Sequence, residues 1–166
     1  NGSGKTMLLR AIAGLLYIKY GSVKYNSSLF KGVIIENPAF INSFTGLENL
    51  RYLASIRSTI RDTDIKATMK RVGLDPEDTR KVRVYSLGMK QKLAFAQAVM
   101  ESPPLLILDE PTRGLDSESV IMVREILYEE REKGTTALIA SHNQKDISSL
   151  CNQVFFLDSG RIVDVL

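Results

Sequence analysis

The chain of 166 residues has a single cysteine, Cys151, which excludes an internal disulfide framework and fits a reducing compartment. It has no apolar run near the roughly 18 residues that a membrane-crossing helix needs, so a membrane role would have to come through a partner. The opening residues show no basic-then-apolar signal pattern. Repeats and low-complexity segments are lacking. So is a dominant charge: 22 Lys and Arg against 19 Asp and Glu leave +3, too mild to argue for nucleic acid. Methionine is missing at position 1, where Asn1 leads straight into Gly2-Ser3-Gly4-Lys5-Thr6. The expectation is a fragment whose N-terminal strands are missing. What is present is an ordinary globular composition, 44% hydrophobic with mean hydropathy −0.04, long enough for one domain with its own core.

The most informative stretch is Leu105-Leu106-Ile107-Leu108-Asp109-Glu110, preceded by Pro103-Pro104 and followed by Pro111-Thr112-Arg113-Gly114-Leu115-Asp116. A short, wholly apolar run between prolines reads as a buried strand of a parallel sheet. Parallel strands present ligands at their carboxyl ends. Two adjacent carboxylates there are costly unless something needs negative charge, as a magnesium ion and an attacking water would. The stretch suggests metal-assisted phosphoryl chemistry.

Strand and helix patterns alternate around it. A helix is expected after the glycine turn, with Met7, Leu8, Ala11, Ile12, Leu15 and Leu16 on its apolar face. Strand candidates are 22–25, 31–35 and 135–140, and 154–157 with 161–165 reads as a hairpin. Thr45-Gly46-Leu47-Glu48 is a capping box opening a helix with Leu47, Leu50, Leu53 and Ala54 inward. Asp62 or Thr63 caps a helix carrying Ile65, Met69 and Val72, stopped at Gly73. Ser86 caps another, carrying Met89, Leu93, Ala96 and Met100, and further helices are expected at 117–133 and 145–150. The expected class is α/β: a parallel-sheet core from 1–40 and 86–166, with a helical subdomain inserted at about 41–85.

Alone, Gly2-Ser3-Gly4-Lys5-Thr6 reads either as a glycine turn before a basic helix or as the back of a phosphate-binding loop. The loop pattern is G-x-x-x-x-G-K-[ST], of whose eight positions six are present at 1–6. In the second reading, backbone N–H groups at a helix start hold phosphate oxygens, helped by the helix dipole. Lys5 reaches the β- and γ-phosphates, and the Thr6 hydroxyl binds Mg²⁺. His142, the only histidine, follows the apolar run 135–140 and so stands at another strand's carboxyl end.

Tyr85-Ser86-Leu87-Gly88-Met89-Lys90-Gln91-Lys92, about one helix ahead of the acidic strand, is similar to the ABC signature L-S-G-G-Q followed by x-Q-R. With residues 1–6, 105–116 and His142 in this order, essentially the whole chain resembles an ABC transporter ATP-binding subunit. Val33-Ile34-Ile35-Glu36-Asn37-Pro38 and Leu47-Glu48-Asn49-Leu50 resemble the bacitracin-resistance and lantibiotic-immunity type of exporter ATPase. Glutamate often stands there in place of the usual Q-loop glutamine.

The resemblance implies a P-loop NTPase (RecA-like) fold and roles position by position. Asn1, Gly2, Ser3, Gly4, Lys5 and Thr6 match the phosphate-binding loop. Asp109 matches the Walker B aspartate, holding Mg²⁺ mainly through water. Glu110 matches the catalytic glutamate, which polarises the attacking water and can accept its proton. Glu36 can touch Mg²⁺ or that water, but it adds charge and lacks a donor. His142 matches the histidine that contacts the γ-phosphate. Ser86 and Gly88 match signature positions that close over the γ-phosphate of a second subunit, and Asp116 matches the D-loop aspartate at the seam. Ser86 and Asp116 also read as helix N-caps. Leu87 and Met89 depart from the usual glycine and glutamine.

The implied cofactors are ATP and Mg²⁺. The implied partners are a second ATP-binding subunit, head to tail with two ATP at the seam, and transmembrane permease subunits docked on the helical subdomain. The implied place is the cytoplasmic face of a bacterial cell membrane, held there by the permease. The implied function is ATP hydrolysis powering export of a peptide antibiotic or similar amphiphile. A soluble ABC-type machine acting on nucleic acid or ribosomes, and a catalytically inactive fragment, are the alternatives. The stretch between Thr6 and Ser86 leaves no room for the long coiled coils of the DNA-repair kind. The translation kind carries paired cassettes, and no direct nucleic-acid contact is expected. A P-loop kinase would leave 86–92 and Asp116 unexplained. Because the opening glycine, the strand feeding the loop and the adenine-stacking aromatic would precede Asn1, the 166-residue piece is expected to bind ATP weakly by itself.

Overall fold

The computed structural model describes residues 2–25, 29–36 and 39–166; Asn1, Asn37 and Pro38, all read above, lie outside them. Strand β2 (Leu105–Asp109) runs between β1 (Lys31–Ile34) and β3 (Thr136–Ala140), parallel to both. Ile107 is level with Val33 on one side and Leu138 on the other. Successive side chains of a strand point to opposite faces, and here both faces are covered. Leu106 and Leu108 enter a large core with Phe95, Val99, Val123 and Ile126, while Leu105 and Ile107 enter a smaller one with Leu9 and Ala140. Helix α1 (Lys5–Ala13) therefore lies on one face, and α4 (Leu87–Val99) and α5 (Ser117–Glu132) on the other. Leu106, Ile107 and Leu108 are wholly buried. Each contributes about 1.5–3 kcal/mol relative to exposure.

Helix α4 lies against the backbone of β1. A methyl group at Gly32 would stand 2.0 Å from the Ala98 carbonyl oxygen and 2.7 Å from Leu106, so only glycine lets the helix sit this close.

The inserted helices are α2 (Gly46–Arg57) and α3 (Asp62–Arg71). The capping box forms: the Thr45 hydroxyl accepts from the Glu48 N–H at 3.1 Å, and the Glu48 carboxylate accepts from the Thr45 N–H at 2.6 Å. Leu50, Met69 and Val72 pack with Leu93 of α4, so the insertion shares the large core. Tyr85 closes this region against Gly46, and burial pushes its hydroxyl pKa up. The chain ends in α6 (Gln144–Leu150) and the antiparallel pair β4 (Phe155–Asp158) and β5 (Arg161–Val165), as the hairpin pattern predicts. Among the described residues no helix is long and apolar enough to cross a membrane.

Three expectations need correction. Residues 22–25 are not a strand: none of the described strands runs beside them, and four residues without a ladder partner gain nothing from extension. Helix α1 ends at Gly14, whose φ is 81°, so Leu15 and Leu16 lie beyond it. Its packed face is Leu9 with Ile12 and Ala13, whereas Met7 and Leu8 are exposed. Helix α3 starts one residue earlier than read, with Arg61 at the cap position and its side chain gripping Asp64.

Gly32→Ala is expected to lower unfolding stability by about 3 kcal/mol, because the clash is with backbone that cannot turn aside. Urea denaturation of the parent and the variant measures it.

Candidate functional site

The carboxyl ends of β1, β2 and β3 open on a cleft of about 890 Å³ that the start of α1 also borders. At that start, Gly2 (φ 86°) and Gly4 (φ 97°) take left-handed backbone, and the α1 N–H groups are left without side-chain caps. Such an N-terminus attracts anions. Lys5 donates to the Ser3 hydroxyl at 3.0 Å. One residue on, the Thr6 hydroxyl donates to Asp109 at 2.6 Å, joining the first turn of α1 to the last residue of β2.

Glu110 follows Asp109 in a left-handed conformation (φ 51°), which costs a non-glycine residue about 1–3 kcal/mol. The surroundings hold it there. Its N–H donates to the Ala140 carbonyl at 2.8 Å, and its own carbonyl accepts from the Arg113 N–H at 3.0 Å. One Glu110 carboxylate oxygen accepts the His142 N–H at 3.1 Å and lies 2.6 Å from His142 Nδ1. The Glu110 side chain is largely covered, while the imidazole is mostly exposed to the cleft. Glu36, with φ 60° just past β1, is ion-paired with Arg10 of α1 at 2.7 Å.

The residues brought together on this cleft are Gly2, Ser3, Gly4, Lys5, Thr6, Glu36, Asp109, Glu110 and His142. Asn1 lies outside the described residues. Ser86, Gly88 and Asp116 do not line the cleft. Ser86 accepts from the Met89 N–H at 3.2 Å and caps α4, and Asp116 accepts from the Ser119 N–H at 2.8 Å and caps α5. That N–H holds the Asp116 carboxyl below the usual carboxylate range.

Among the described residues no cluster of three or more His, Cys, Asp or Glu could hold a metal unaided. Thr6 and Asp109 offer two hard oxygens side by side, which suits Mg²⁺, an ion that takes one or two protein ligands and completes its shell with phosphate and water.

A profile of the family described as ABC transporter matches residues 1–113. The chain belongs to that family. Among similar proteins, an uncharacterized ABC transporter ATP-binding protein of Bacillus subtilis, YybJ, is 42% identical over 98% of this chain and 78% of its own length. The bacitracin transport ATP-binding protein BcrA of Enterococcus faecalis is 35% identical over 99% of this chain and 57% of its own. The lantibiotic transport ATP-binding protein SrtF of Streptococcus pyogenes is 32% identical over 98% and 74%. A solved ATP-binding subunit of an ABC transporter superposes with a TM-score of 0.88 at 25% identity, covering 99% of this chain and 74% of that one. The ABC family, the P-loop NTPase fold and the kinship with bacitracin and lantibiotic proteins expected from Glu36 and its flanks are thus met. Membership makes this a nucleotide-binding domain.

Sequence reasoning missed several residues of the ABC chain's cleft. Leu87 and Gln91, one turn apart on α4, line it, as do Met7 and Arg113. The spacing of four between Leu87 and Gln91 places them on one helix face and could have shown them together. Arg113 was visible as a cation three residues past Glu110, but only the fold of the turn reveals that it faces the cleft. The Arg10–Glu36 pair joins separate elements and left no local signal.

Because the Asp116 pKa is lowered on folding, its capping stabilises fully above the unfolded value near pH 4 and fades as pH falls through the lower folded value. Asp116→Asn keeps an acceptor without the charge. The melting-temperature advantage of the parent over this variant is expected to be constant above about pH 5 and to shrink below about pH 4, as thermal melts across a pH series would show.

Proposed function

We propose that the protein containing this chain binds ATP with Mg²⁺ and hydrolyses it to power export of a peptide antibiotic or similar amphiphile. One observation carries the reading: Lys5, Thr6, Asp109, Glu110 and His142, from three separate segments, converge on one cleft at the carboxyl edge of the sheet. The kinship with BcrA and SrtF supports the transport half and the class of cargo.

The chemistry follows from side chains and amides. The glycine-turn N–H groups and Lys5 receive the phosphate oxygens. Thr6 and Asp109 would hold Mg²⁺, whose charge offsets that on the phosphate oxygens as the γ-phosphoryl group is displaced. Glu110 orients a water and accepts its proton while the water oxygen bonds to the γ-phosphorus and the bond to the bridging oxygen of ADP breaks. His142, beside Glu110, donates toward the transferred phosphoryl group. Glu36, steadied by Arg10, lies within the same cleft and can meet Mg²⁺ or the water.

Ser86 and Gly88 lie outside the lining of the chain's own cleft, which Leu87 and Gln91 of the same helix do border, and they serve a second copy packed head to tail, each copy's signature residues closing over the other's γ-phosphate. Asp116 belongs at that seam. The helical segment at about 41–85 meets the transmembrane subunits, which would hold the protein at the cytoplasmic face of the membrane. No nucleic-acid contact is part of the proposal.

In the intact protein, Glu110→Gln keeps the shape and removes the base. ATP turnover is expected to fall by about 10² or more, and ATP is expected to drive the variant into a stable dimer on gel filtration. Turnover equal to the parent's would remove Glu110 from its role.

A further inference from the structure

Behind the cleft lies a charged group that the chemistry above does not use. Asp146, in the first turn of α6, is fully buried. Two other segments satisfy it. The Thr112 hydroxyl donates to one oxygen at 2.5 Å. Arg124 of α5 donates to the other from Nε at 3.0 Å and from Nη2 at 2.5 Å. A buried charge is kept only where it is paired and its lone pairs are filled, and it then fixes the geometry of everything it touches.

The identity of the joined segments gives this triad its meaning. Thr112 sits two residues past Glu110 in the turn closed by the Arg113 N–H. Asp146 sits four residues past His142, and its N–H donates to the Asn143 carbonyl at 3.1 Å. The loop after β2 and the loop after β3 are therefore tied twice. On the cleft side the tie is Glu110 to His142; on the buried side it is Thr112 to Asp146, anchored by Arg124. The outer tie opens on the cleft, whereas the inner tie between Thr112 and Asp146 is buried.

We propose that Asp146 is a positioning residue that sets the His142 loop against Glu110 through Thr112 and Arg124. This rests on the roles proposed above for Glu110 and His142. With the inner tie removed, the two loops drift, and the imidazole loses its fixed place beside the carboxylate. ATP binding at the α1 turn does not depend on the tie, so the effect falls on turnover and not on affinity.

The test uses the intact protein with Thr112→Val, Thr112→Ser and Asp146→Asn. Three readouts are taken at one fixed pH: turnover at saturating ATP, affinity for ATP, and the imidazole NMR signal of His142, assigned by its loss in His142→Gln. Thr112→Val is expected to lower turnover by about ten- to a hundredfold, as misplaced reacting groups do. Its ATP affinity should stay within about twofold, a difference well under 1.4 kcal/mol, and its His142 signal should shift. Thr112→Ser, which keeps the donor, should match the parent in all three. Asp146→Asn should resemble Thr112→Val; if it fails to fold, the threonine pair alone decides. Unchanged turnover and an unchanged His142 signal in Thr112→Val would overturn the proposal. If the parent itself does not hydrolyse ATP, the proposed activity fails, and the His142 signal still reports whether the inner tie places the imidazole.

Discussion

The placement of the site depends on the two-sided burial of β2. A strand covered on both faces cannot slip in register without exposing or overpacking its side chains. With Leu105 to Leu108 fixed between Lys31–Ile34 and Thr136–Ala140, Asp109 has one place to be, level with Ala140 at the sheet edge. Glu110 then hooks back to the Ala140 carbonyl, and its left-handed backbone turns the carboxylate toward the next strand's loop. The acids that would be costly inside the sheet are placed where it ends. The same packing seats α1 on the opposite face, so that Thr6 reaches Asp109.

Each acid on the cleft has its own donor, two of them from α1 and one from the loop after β3. Asp109 takes the Thr6 hydroxyl from α1, Glu110 takes His142 from the loop after β3, and Glu36 takes Arg10 from further along α1. This keeps three carboxylates within one cleft without direct pairing between them. It also leaves Lys5, Arg113 and the amides of the glycine turn to face an anion. An anion carrying its own divalent cation suits such a mixture better than a bare anion, because the cation bridges it to the carboxylates.

Much of this was legible locally. The run from Leu105 to Glu110 announced a buried strand with an acidic end, because composition and flanking prolines leave few other solutions. The Thr45 capping box and the Ser86 and Asp116 caps were legible because the interacting groups lie within one turn of each other. The errors arose where a distant partner decides. Helix α1 offers several apolar stripes, and the sheet selected Leu9, Ile12 and Ala13. Residues 22–25 have strand-like composition, but a strand exists only beside another. The Arg10–Glu36 pair and the Asp146 triad join residues far apart in sequence, and no spacing rule reveals them.

The claim that the end of β2 and the start of α1 form one site for a metal-bound triphosphate is tested most directly by Mn²⁺ in place of Mg²⁺. Electron paramagnetic resonance of the intact protein with ATP would count the bound Mn²⁺, and a parallel measurement would follow ATP itself. The expected result is protein-bound Mn²⁺ only when ATP is present, with binding lost in Thr6→Val and in Asp109→Asn. Mn²⁺ held as tightly by both variants as by the parent would contradict the site described.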